Sequence, residues 1–281
     1  MIELGEFEAG KKLYISPRTT LYRAKPKGAA DENGSVLKVY HDPFREEVDG
    51  DPYLEAFLQG VQFEKELQAK LPEACLSCLG AGKKEEMAWV AKPYERFNLE
   101  RVFEGKIKTD SFLVYQLLES LLQILQQIKS TTGRTHGNLK PSNIFLVGGG
   151  SLAECEIRLT DFGPLLDSNA KGTMEREDLV AVGKMLYKLI TRKDAKSTTV
   201  SDLGGWDVFG KKSALWTAFC EDLLKATGDH SSLTIDQVID QLPTLKPVKP
   251  KPWGVVGTVG AIFLVGGLVT MQLLVPGGLL S

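Results

Sequence analysis

Thr135-His136-Gly137-Asn138-Leu139-Lys140-Pro141-Ser142-Asn143-Ile144, followed at a short distance by Thr160-Asp161-Phe162-Gly163, is the stretch that decides how this chain folds. Between the two motifs, Ile144 to Leu159 reads as strand, turn and strand, with Gly148-Gly149-Gly150 at the turn. Upstream, Phe112, Leu113, Tyr115, Leu117, Leu118, Leu121, Leu122, Ile124, Leu125 and Ile128 mark a long apolar helix over Ser111 to Ile128. Downstream, Asp178-Leu179-Val180-Ala181-Val182-Gly183-Lys184-Met185-Leu186-Tyr187-Lys188-Leu189-Ile190 reads as a second buried helix, and Trp216 to Leu224 and Leu233 to Leu242 complete a helical half.

In this order the motifs resemble the catalytic loop and metal-binding loop of eukaryotic-type protein kinases, as a degenerate, pseudokinase-like member of that superfamily. The resemblance implies an α+β, bilobal protein-kinase-like fold, with a small β-rich N-lobe over about 1–94 and a helical C-lobe over about 95–243. It further implies that Lys140 meets the γ-phosphate of ATP while Asn143 and Asp161 hold Mg²⁺. His136 becomes a packing residue beside the metal-binding loop. Where the family carries its catalytic base, this chain has Asn138, whose amide bears no negative charge and accepts no proton at neutral pH. Gly137 stands where the family's arginine clamps a phosphorylated activation loop. No Ala-Pro-Glu motif follows, so the platform for a protein substrate is nearly gone.

The first half is a weaker match. Strands broken by a polar turn, Lys25 to Gly34, are expected between Gly5 and Tyr40, and Val36-Leu37-Lys38-Val39-Tyr40 alternates as a strand. The resemblance makes Lys38 the ammonium near the α- and β-phosphates. Leu54 to Leu71 reads as a helix carrying Glu64, which would orient Lys38 by an ion pair, with Glu66 as the competing candidate. Met87-Ala88-Trp89-Val90-Ala91-Lys92-Pro93 resembles the strand leading to the adenine-binding hinge. Tyr14, Ser16 and Thr19 occupy the three positions of the phosphate-covering glycines, which removes the close backbone approach glycine permits. Ser16 to Thr20 is then either a polar turn or, through Arg18 or Thr19, a source of substitute polar contacts.

Residues 253–275 carry no charge and, as a helix, would extend about 35 Å, enough for a hydrocarbon core of about 30 Å. One C-terminal transmembrane helix is expected there, after a Lys/Pro linker over 244–252 and before a short uncharged tail, 276–281. Lysines on the N-terminal side alone place the kinase-like domain in the cytoplasm of a single-pass membrane protein. Gly257-x-x-x-Ala261 admits a homodimer through the helix. The 281 residues are 43% hydrophobic with net charge −2, which excludes a basic nucleic-acid face and disorder. Four cysteines are too few for a disulfide scaffold, and Cys75-Leu76-Ser77-Cys78 has no second ligand pair for zinc; the two thiols are expected buried or half-buried in a strand.

Three readings follow. The preferred one is a membrane-anchored pseudokinase that binds cytoplasmic or membrane protein partners and senses nucleotide. The second is an active atypical Ser/Thr kinase. The third is a nucleotide-free membrane assembly subunit, similar in layout to the membrane-anchored pseudokinase component of type VII secretion machines.

Overall fold

The computed structural model describes residues 2–29, 34–41, 51–84, 87–105, 110–148, 154–164, 170–200, 204–227 and 232–247. The first strands are β1 (Ile2–Leu4), β2 (Phe7–Ile15), β3 (Thr19–Pro26) and β4 (Ser35–Tyr40), and helix α1 (Pro52–Lys70) follows. Strands β5 (Gly80–Lys84) and β6 (Met87–Pro93) complete an antiparallel six-stranded sheet in the order β1-β2-β3-β4-β6-β5. Alternation puts Leu4, Phe7, Ala9, Tyr22, Ala24, Leu37, Val39, Trp89 and Ala91 into one apolar cluster. The opposite face of β4 and β6 carries Lys38, paired across the strands with Val90, and Lys92 two residues further on.

Helices α2 (Leu99–Glu104) and α3 (Ser111–Thr132) open the second half, and β7 (Ile144–Val147) pairs antiparallel with β8 (Glu156–Leu159). Then come α4 (Ala170–Thr191), α5 (Ser213–Leu224) and α6 (Ile235–Leu245). Local signals fix several ends. The Asp110 carboxylate accepts the Leu113 N–H at the start of α3, and Gly133 at φ 73° ends that helix in the left-handed conformation. Thr234 and Gln237 form a capping box on α6. The second and larger core joins α3, β7, β8, α4, α5 and α6. Within it Trp216 is fully buried and stacks on Phe209 at 4.2 Å between centroids. The Trp216 indole N–H donates to Leu245 O at 3.2 Å.

Residues Thr244 to Lys246, assigned from sequence to the linker, therefore belong to the packed C-terminal half: Lys212 Nζ also donates to Thr244 O and Lys246 O. The Cys75 and Cys78 thiols are buried and half-buried but lie outside named strands, after a 3₁₀ turn at Pro72–Ala74. Cys75 bridges to Leu159, and burial pushes its thiol up to about 11, so it is unreactive at neutral pH. Among the described residues no helix is long and apolar enough to cross a membrane. The 253–275 segment, residues 248–252 of the linker, and Gly149 and Gly150 of the β7–β8 turn lie outside the described residues.

Trp216→Ala is expected to lower the unfolding free energy by about 3–5 kcal/mol, and Trp216→Phe by less, in urea denaturation.

Candidate functional site

The catalytic-loop motif is held from beneath by α4. Asp178, almost fully buried, accepts the Gly137 N–H with both carboxylate oxygens, at 3.1 and 2.9 Å. Burial raises its pKa to about 6 even though these bonds favour the anion. Gly137 sits at φ 72°, and a Cβ there would press into Met174 of α4. An arginine at 137 would thus meet both strain and a filled space. His136 is fully buried and stacks on Phe162 at 4.3 Å. Its Nδ1 accepts the Asn138 N–H at 3.1 Å, so Nε2 carries the proton and donates to Thr160 O at 3.0 Å. The packing role expected for His136 is the one observed.

Asn138 lies at the exposed rim, and its carboxamide donates to the Asp161 backbone carbonyl at 2.8 Å. A carboxylate at 138 would turn an oxygen toward that carbonyl, so the amide is the group the local geometry accommodates. Asn143 is buried and donates to Asn138 O at 2.9 Å, with its own carbonyl oxygen 3.4 Å from Ser142 Oγ. Lys140 is exposed.

The ion pairs depart from the sequence expectation. Lys38 Nζ binds Asp161 Oδ2 at 2.6 Å. Glu64, only 2% exposed, pairs with Lys92 at 2.5 Å instead of Lys38. The other Glu64 oxygen accepts the backbone N–H groups of Asp161 (2.5 Å) and Phe162 (3.3 Å). Lys92 also donates to Thr160 Oγ1 and stands 3.5 Å from Asp161 Oδ1. The expected Glu64–Lys38 pair is corrected for a simple reason: a lysine buried at the end of β6 needs a carboxylate more than the partly accessible Lys38 does. Glu66, the other candidate, interacts with Gln62 on the outer side of α1. Burial alone would lower the Lys92 pKa, but Glu64 and Asp161 outweigh it and hold the ammonium charged. For Asp161, burial is outweighed by Lys38 and then Lys92, so its carboxyl lies well below the usual carboxylate range. Lys92 was missed in the sequence, although a lysine directly following the apolar run Ala88-Trp89-Val90-Ala91 was the available signal.

Helix α1 is fixed against this cluster by Gly60, where an added Cβ would lie 2.7 Å from the Phe162 carbonyl oxygen. Its N-terminus is tied to the β2–β3 turn. Arg18 lies flat on Tyr53, 3.3 Å from the ring centroid, and bonds Tyr40 Oη at 3.5 Å; the Tyr40 hydroxyl donates to the Asp51 cap. Arg18 thus latches onto α1. Ser16 N–H donates to Thr19 O at 2.8 Å and Thr19 N–H to Ser16 Oγ at 3.0 Å. Backbone donors that a glycine loop would close over phosphates are committed inside the hairpin, while Tyr14 stands 61% exposed.

These residues fit the groups implied by the resemblance unequally. Lys38 and the exposed Lys140 give an anion cations to meet, whereas Lys92 is buried among its own partners. Mg²⁺ fits poorly: both Asp161 oxygens face lysines that compete with a metal for them, and Asn143 offers only a neutral amide oxygen, its NH2 group being held by Asn138 O.

A β-rich half whose sheet lysine reaches an Asp-Phe-Gly loop, set against a helical half carrying the catalytic-loop motif, is the architecture of a protein kinase domain. Among solved structures the chain is similar to the kinase domain of Mycobacterium tuberculosis PknI, a double mutant, with TM-score 0.60 over 87% of this chain and 97% of that one. At 16% identity this likeness shows the fold alone. No family model and no curated protein matches the sequence.

Two outcomes are expected. Lys92→Met strands Glu64 in the interior and should cost about 3–5 kcal/mol, whereas Lys92→Met with Glu64→Gln should recover much of it, by urea denaturation. The His136 imidazole is depressed by burial to about 3, below its unfolded value of about 6.5, so its contribution is complete above pH 6.5 and lost as pH falls toward 3. The stability advantage of wild type over His136→Asn should therefore rise by up to about 1.4 kcal/mol per pH unit as pH increases from about 3 to about 6.5 and be flat above that.

Proposed function

We propose that this chain is a membrane-anchored pseudokinase, a kinase fold that binds protein partners and senses nucleotide without transferring phosphate. The observation that carries the reading is the Asn138–Asp161 arrangement. At the base position an amide donates to the Asp161 backbone, and the Asp161 carboxylate is neutralised by Lys38 and Lys92. General-base assistance is lost, and so is the metal that neutralises developing charge in phosphoryl transfer. The hairpin-committed amides at Ser16 and Thr19 remove the phosphate lid as well. Lys38 and Lys140 are kept, which makes ATP the ligand to test. The uncharged 253–275 segment, preceded by Lys246, Lys249 and Lys251, supports a single-pass anchor with the kinase-like domain in the cytoplasm, where cytoplasmic or membrane proteins are the partners.

The reading is tested with the full chain in lipid nanodiscs, radiolabelled ATP, and Mg²⁺ or Mn²⁺. Neither autophosphorylation nor transfer to a general acceptor protein is expected above a heat-denatured control, and Asn138→Asp should not restore it. Transfer that disappears with Asp161→Asn would overturn the reading.

A further inference from the structure

On β4, β6, α1 and the loop 160–163 two lysines balance two carboxylates, and the exposed Lys140 of the neighbouring loop adds one positive charge. Lys38, Lys92 and Lys140 stand against Glu64 and Asp161, a net charge of one positive; Lys140 is close enough to help draw the Asp161 pKa down. A carboxylate at 138 and an uncharged side chain at 92 would lower that net charge by two, the charge of one divalent cation. Lys92 is built into this place: it is 8% exposed, donates to Glu64 and Thr160, and sits 3.5 Å from Asp161 Oδ1.

We propose that Lys92 is an internal cation standing in for the divalent metal, so that this cleft takes the phosphate chain of a nucleotide without Mg²⁺. The ligand class is a free nucleoside di- or triphosphate, met by Lys38 and Lys140, with Lys92, shared between Glu64 and Asp161, remaining beside Asp161 Oδ1 when Lys38 turns toward the phosphates. A metal-bound nucleotide is the poorer ligand, because Mg²⁺ screens the phosphates from the lysines and must compete with the fixed Lys92 ammonium for the Asp161 carboxylate. This inference rests on the nucleotide-sensing part of the function proposed above.

The test uses the full chain in detergent micelles. ATP and ADP are titrated calorimetrically in EDTA and in excess Mg²⁺, and Mn²⁺ binding without nucleotide is followed by electron paramagnetic resonance. Binding in EDTA is expected, weakened by Mg²⁺ on the order of tenfold, the scale of one charge-assisted contact. The Mn²⁺ signal should remain that of the free ion. Lys38→Met should abolish nucleotide binding, and Lys92→Met with Glu64→Gln, which removes both charges of the buried pair, should make binding depend on Mg²⁺. Wild-type binding only with Mg²⁺, Mn²⁺ capture by the chain alone, or no nucleotide binding in EDTA would each overturn the inference. The last result, without phosphotransfer, leaves a partner-binding pseudokinase in place; only phosphotransfer itself removes that reading. Should the double variant fail to fold, the comparison of EDTA with Mg²⁺ on the wild-type chain still decides.

Discussion

An ammonium group with almost no access to water must be surrounded by acceptors, and Lys92 organises the first half of this protein around that requirement. Its partners come from two separated segments: Glu64 on α1, and the consecutive Thr160 and Asp161 just after β8. Because Glu64 also accepts the N–H groups of Asp161 and Phe162, the pair fixes α1 against the loop, and Gly60 lets the two backbones come close. A buried pair of this kind adds little net stability, since desolvation consumes most of the Coulombic gain. Its effect is on arrangement: taking away either partner leaves a charge with nowhere to go.

The second consequence is chemical. With Glu64 committed to Lys92, Lys38 turns to Asp161, and the carboxylate that would bridge a metal is answered by protein cations from both sides. Asn138 completes the change, since an amide donates where a carboxylate would repel. In the function proposed above, the residues at 14–19, 92 and 138 account for the loss of the lid, the metal and the base, while the fold is kept.

Much of the architecture was legible because it follows from periodicity and punctuation. The apolar repeat of α3, the glycine that ends it, and the alternating strand through Lys38 each state their structure locally. Asn138, Lys140, Asn143 and Asp161 were legible as a constellation because their order along the chain matches a known family, and the structure brings Asn138, Asn143 and Asp161 into one hydrogen-bonded loop. The partner of Glu64 was not legible, because choosing between Lys38 and Lys92 depends on which ammonium is buried, and burial is decided by the β4–β6 register. The direction of Arg18 was hidden likewise: it follows from the position of Tyr53 and the Asp51 cap, which belong to a different element. The extent of α6 was misjudged at Pro243, a residue that commonly ends a helix but here sits inside α6, which runs on to Leu245.

The central claim, that Lys92 neutralises Asp161 from within the protein, is tested most directly by a double-mutant cycle between Lys92→Met and Asp161→Asn, built on Glu64→Gln so that no buried carboxylate is stranded. Urea denaturation of the four chains in EDTA gives the coupling energy. The account predicts a favourable coupling of about 1–3 kcal/mol that Mg²⁺ leaves unchanged. Coupling indistinguishable from zero, or coupling that vanishes when Mg²⁺ is added, would contradict it.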